Sequence, residues 1–123
     1  DGLIEGSRIL ARILHVHGFD VYGVICKVGA TSKSCIGIPK ECEEVGVSIC
    51  NPIMRAERLN KAQTDLNIVV GLCVGHDSLF YKYSNAFCTT AITENRVLGH
   101  NPAAALYGTS CYYARLLKGD EDK

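Results

Sequence analysis

Tryptophan is absent from this chain of 123 residues, although at 47% hydrophobic and 21% charged the composition remains that of an ordinary globular domain. An excess of charge is also lacking, because 13 Lys and Arg balance 13 Asp and Glu. That balance removes the basic footprint expected of a nucleic-acid or anionic-membrane binder. No apolar run approaches the roughly 20 residues of a membrane-spanning helix. No Cys-x-x-Cys occurs, which removes the ribbon, ferredoxin and thioredoxin signatures. Neither a Walker A sequence nor Gly-x-Gly-x-x-Gly is present, so a nucleotide site has no motif to rest on. The expected partners therefore exclude nucleic acid and membrane and leave a small molecule or an anion.

Cysteine is what the chain does have. There are seven: Cys26, Cys35, Cys42, Cys50, Cys73, Cys88 and Cys111. A secreted disulfide scaffold would be denser in cysteine and richer in loops. Free thiols or thiolate ligands in a reducing cytoplasm fit the odd number better. The length predicts one domain, placed at residues 1–118. Residues 119–123, with Asp120-Glu121-Asp122, form a polar tail.

Apolar periodicity predicts a helix over Leu3–His17, closed by Gly18. Phe19–Cys26 is β-branched and aromatic and predicts a first strand. Residues 27–39 read as a long loop, 40–45 as a helical turn and 47–50 as a short strand or entry segment. Asn51-Pro52 is a helix start, with Asn as the cap and Pro in the first turn. Leu66–Cys73 is an apolar run that predicts a strand buried on both faces. A short helix from Asp77 to Tyr83 and a strand over Phe87–Thr93 follow. Asn101-Pro102 repeats the cap and opens a helix to Leu117, disturbed at Gly108. Alternating helices and buried strands predict an α/β fold, a three-layer open and mainly parallel sheet with helices on both faces. Because the chain begins on Asp1 and on a helix, it is expected to be the C-terminal part of a longer protein, lacking a first strand.

The chemistry concentrates where the central strand ends, at Gly71-Leu72-Cys73-Val74-Gly75-His76-Asp77. Parallel α/β sheets bind ligands beyond the carboxyl ends of their strands. Cys26, Cys50, Cys73, His76 and His100 all stand at strand ends or helix starts, and together they would make a Cys/His metal site. Zinc or iron, the latter also as an iron–sulfur cluster, would suit those donors. Gly71-x-Cys73-x-Gly75 also copies the nucleophile-elbow pattern with Cys in place of Ser. In that reading Cys73 is the nucleophile, His76 or His100 the base, and Asp77 or Glu94 the group that orients it. The plain alternative is that the thiols are core residues, since free Cys is commonly buried. Asn51, Asn101 and Asp77 also have ordinary capping roles available, and Arg55, Arg58 and Arg96 ordinary surface ones.

Several strings in this chain resemble a known family. Cys50-Asn51-Pro52-Ile53 with Ala56 and Leu59-Asn60 is one, and Thr64-Asp65-Leu66-Asn67 another. Gly71 to Phe80 and Asn95-Arg96-Val97-Leu98-Gly99-His100-Asn101-Pro102 complete the set, with Cys26-Lys27-Val28-Gly29 upstream. They resemble the uncharacterised microbial domain-of-unknown-function family 1847 over nearly the whole chain. Arg55 stands where that family's pattern has Gln, and Thr93-Glu94-Asn95 departs from its usual Lys-Asp. The resemblance implies a metal or redox role, since members are often labelled metal-binding for a Cys-rich segment that precedes this domain. The leading expectation is thus a cytoplasmic metal- or cluster-associated domain with its site at the carboxyl edge of the sheet. A thiol enzyme built on Cys73, for hydrolysis or acyl transfer, and a binding module with structural thiols are the alternatives. An unpaired sheet edge left by a missing strand would favour a homo-oligomer.

Overall fold

The computed structural model describes residues 3–25 and 50–117. Asn51 Oδ1 accepts the Met54 N–H at 2.9 Å, and Pro52 occupies the first turn, where a missing N–H costs nothing. These two residues start α2 (Pro52–Ala62) where the sequence predicts it. Ahead of it lies α1 (Ile4–Val16). Then come β1 (Leu66–Leu72), α3 (His76–Tyr83), β2 (Phe87–Thr93) and α4 (Ala103–Tyr107), with short 3-10 turns at Gly108–Ser110 and Ala114–Leu117.

β1 and β2 form a two-stranded parallel sheet connected through α3. The fold among the described residues is therefore mixed α/β with a parallel pair. A parallel pair needs a crossover connection, and α3 supplies it. The pairing begins with Leu66 opposite Phe87, is irregular around Val70 and Gly71, and ends with Leu72 opposite Thr93. Ala91 is passed over on β2 and Gly71 on β1, so the two irregularities cancel. Cys73 and Glu94 are consequently the next residues on their strands, side by side.

The core is small and lies on one face of the sheet. Ala56 and Leu59 of α2, Phe80 of α3, and Val69 and Leu72 of β1 make one buried cluster, with Val24, Cys50 and Cys88 packed against it. Burying such side chains is the main stabilising contribution, about 25 cal/mol per Å² of apolar surface. Gly71 sets the strand's facing. Its φ of 63° bulges the strand, so Leu72 turns inward with Asn67 and Val69 instead of following strict alternation.

Several sequence expectations change here. Phe19–Ile25 carries no strand, and Phe19, Tyr22 and Ile25 are exposed. Their β-branched and aromatic character expresses a preference only when a neighbouring strand receives it. β1 is not buried on both faces, since Leu66 and Ile68 remain exposed opposite the core. Among the described residues the three-layer arrangement is not established. The last helix is shorter than expected. α4 ends at Tyr107, and Gly108, packed under the Tyr113 ring, passes the chain into 3-10 turns. Asn101 does not cap α4 with its side chain, because Pro102 holds the capping position. The expected loop, helical turn and strand over residues 27–49 and the polar tail lie outside the described residues, apart from Cys50 itself.

At the amino end of the sheet a buried polar residue ties two turns together. Asn67 is 3% exposed. Its Oδ1 accepts from Thr64 Oγ1 at 2.7 Å, and its Nδ2 donates to Ser84 Oγ at 2.7 Å. Asn60 reinforces the join, donating to Tyr83 O at 2.7 Å and accepting the Asn85 N–H at 2.8 Å. A buried amide is tolerable only when its donors and acceptors are met, and here they are.

Candidate functional site

Beyond the carboxyl ends of the two strands, the cancelling bulges bring a thiol against a carboxylate. The register sets the Cys73 thiol beside the Glu94 carboxylate, and the two act on each other's ionisation as a thiol–carboxylate hydrogen bond would. That pairing pushes the Cys73 thiol above its ordinary value, with desolvation, the Glu94 charge and the nearby Cys50 thiol adding to the effect. The same pairing holds the Glu94 carboxyl below its ordinary value, and Arg96 assists although burial opposes. Arg96 Nε donates to Glu94 Oε1 at 3.1 Å. The pair is therefore a protonated thiol donating to an ionised carboxylate near neutral pH.

The flanking glycines shape the turn. Gly71 and Gly75 have φ values of 63° and 101°, whereas Cys73 is not among the residues with positive φ. The left-handed backbone thus falls on glycines, which adopt it without strain, and Cys73 lacks the strained backbone of a nucleophile elbow. Asp77 closes the turn, its Oδ1 accepting the Gly75 N–H at 2.9 Å and the Ser78 N–H at 2.8 Å. An acidic side chain in the first turn of α3 also meets the positive end of the helix dipole. His76 opens α3, and its Nδ1 is buried without a hydrogen-bond partner. Cys50, directly before the cap of α2, is half-buried against the core cluster.

His100 stands just ahead of α4, where the sequence puts it, and its ring turns back into the preceding loop. It lies in the loop after β2 with φ 63°, and its Nδ1 accepts the Asn95 N–H at 3.1 Å. Its ring nitrogen is thus engaged within the loop. Of the five expected metal ligands, Cys26 lies outside the described residues. Among the described residues no three His, Cys, Asp or Glu side chains gather as a metal site requires. Sites for zinc commonly take four protein donors, or three with an open position. Cys88 and Cys111, expected to be ordinary, remain outside the turn, with Cys88 partly buried and Cys111 exposed.

The residue that sequence reasoning undervalued is Glu94. It was legible only as an orienter for a histidine, yet it stands directly beside Cys73. The available signal was positional, since both residues are the first after predicted strand ends. Using that signal requires knowing that the two strands are neighbours and in what register.

Comparison with known proteins agrees with the motif-level resemblance. Residues 2–91 match the model of the family described as protein of unknown function (DUF1847). The uncharacterized protein MJ0455 of Methanocaldococcus jannaschii is 50% identical over 118 residues, covering 96% of this chain and 60% of that protein. The chain thus spans 60% of the length of this curated relative. No solved structure matches the chain. With most of its length matched by the family model and half its residues shared with that archaeal protein, the chain belongs to the DUF1847 family.

Proposed function

We propose that the domain performs thiol chemistry on a small acyl compound, with Cys73 as nucleophile and Glu94 as its proton acceptor. The strand register that sets the Cys73 thiol beside the Glu94 carboxylate carries the reading. In the first step the Cys73 sulfur attacks the acyl carbon while its proton passes to the Glu94 carboxylate. The leaving group departs with that proton, and a thioester remains on Cys73. A water or acceptor alcohol then attacks the thioester, giving its proton to Glu94, which returns it to the departing sulfur. Each step conserves protons and needs no oxidant.

The lowered pKa of Glu94 makes it a weak base in the resting state. It takes the proton only as sulfur's electron pair enters the new bond. His76, with its buried and unpartnered Nδ1 beside the same turn, is a further group with unused hydrogen-bonding capacity. The metal- or cluster-associated reading has less support, because it depends on Cys26 and on ligands that do not gather among the described residues. A reducing cytoplasm is the compartment that would keep such a thiol free. Exposed Leu66 and Ile68 on the outer face of β1 support self-association, which sedimentation velocity tests.

The test uses p-nitrophenyl acetate as acyl donor, with mass spectrometry on the peptide carrying Cys73. Acetylation at Cys73, abolished in Cys73→Ser, is expected. Glu94→Gln is expected to acetylate only through thiol that is already ionised and then to stall, because proton transfer from Cys73 and activation of water are both lost. Absence of acetyl on Cys73, or stoichiometric zinc or iron bound through Cys73 in protein purified without oxygen, would overturn the reading.

A further inference from the structure

The loop that carries Glu94 is fastened by an imidazole. Asn95 directly follows Glu94, and two hydrogen bonds join it to His100. The Asn95 N–H donates to His100 Nδ1 at 3.1 Å, and Asn95 O accepts the His100 N–H at 2.6 Å. Within that bracket Asn95 Oδ1 accepts the Leu98 N–H at 3.1 Å, and the Gly99 N–H reaches Arg96 O at 3.4 Å. β2 ends at Thr93, so the Asn95 N–H lies beyond the sheet ladder and takes its acceptor from the ring. Gly99 and His100 both have positive φ, at 60° and 63°. For a histidine this left-handed conformation is uncommon, and it is the backbone turn that brings the ring back over Asn95.

The geometry points to His100 as a positioning residue that holds Glu94 against Cys73 by fastening the Asn95 backbone. The inference rests on the Cys73–Glu94 reading and adds a device to it. In this role the ring serves the thiol neither as base nor as ligand. It acts one residue away, through the peptide that links Glu94 to Asn95. The arrangement requires a neutral ring with Nδ1 as acceptor and the proton on Nε2.

The requirement can be read on the unaltered chain. Long-range proton–nitrogen NMR of His100 should show the Nε2–H tautomer, and an Nδ1–H tautomer would overturn the proposal even if no variant folds. His100→Gly keeps the left-handed backbone and removes the acceptor, whereas His100→Asn tolerates the same φ and offers a carbonyl oxygen. Cys73 alkylation by iodoacetamide, followed across neutral and alkaline pH, reports whether Glu94 remains in place. In His100→Gly the profile should move toward lower pH, with the rate near neutrality rising about threefold and no further than in Glu94→Gln, as expected for a thiol partly released from a carboxylate. His100→Asn should restore much of the original profile. If His100→Gly melts cooperatively and its profile is unchanged while Glu94→Gln shifts, the positioning role is wrong and the Cys73–Glu94 pair stands. If Glu94→Gln also leaves the profile unchanged, the pair itself fails.

Discussion

The Cys73 thiol and the Glu94 carboxylate, each on the first residue beyond a strand of the parallel pair, stand side by side and act on each other's ionisation. Their meeting depends on β1 and β2 each passing over one residue, Gly71 and Ala91, so that the register recovers before the strands end. A single uncorrected bulge would set Cys73 against a neighbour of Glu94 instead.

Removing the carboxylate charge should release the thiol. Glu94→Gln is expected to bring the Cys73 ionisation down toward its ordinary value of 9.0 and to raise its iodoacetamide alkylation rate near neutral pH. A gain on the order of threefold to tenfold is expected, tempered by the lower intrinsic nucleophilicity of a less basic thiolate. Peptide-level mass spectrometry measures it, and an unchanged or slower rate would contradict the assigned geometry.

The same pairing gives stability two pH limits. Glu94 is depressed in the folded state, so its contribution is present above its ordinary value of 4.5 and is lost as pH falls through the folded value. Cys73 is raised, so its contribution is present below 9.0 and is lost as pH rises toward the folded value. Urea unfolding midpoints should therefore decline on both sides of neutrality. In Glu94→Gln the acid-side decline should be shallower, and in Cys73→Ala the alkaline one.

Gly71 is required twice, for its φ of 63° and for space. A Cβ there would stand 2.5 Å from Leu3 Cδ1. Gly71→Ala should destabilise the fold by about 1–3 kcal/mol from backbone strain alone. It should also disturb the register that places Cys73. Thermal unfolding reads the first effect and the Cys73 alkylation profile the second, and a variant that matches the parent in both would discount the bulge.

Asn67 offers a test of the opposite end of the sheet. Asn67→Ala leaves the Thr64 and Ser84 hydroxyls without their shared amide. The expected loss is about 1–3 kcal/mol, the range for removing a buried hydrogen-bonding partner. Urea denaturation should show it, with Cys73 alkylation in the folded state unaltered because the amide lies at the far end of the strands.

Local signals in the chain were sufficient for the elements whose stability is mainly local. The Asn51-Pro52 start specified α2, Gly18 closed α1, and the apolar runs located β1 and β2 within a residue of their observed ends. Gly71, Cys73, Gly75, His76 and Asp77 also marked the turn after β1 as chemically distinctive. The sequence could not decide what depends on neighbours. Phe19–Ile25 has the composition of a strand but no described partner strand, and the alternation of β1 is changed by a bulge that only pairing reveals. His100 carries a ligand-type side chain, and only the fold shows its Nδ1 closing a loop. Glu94 became the partner of Cys73 because two residues distant along the chain end adjacent strands in a shared register. Propensity and capping act over a few residues and are readable in order. Pairing, burial and the choice of a side chain's partner act across the fold, and only the tertiary structure decided them.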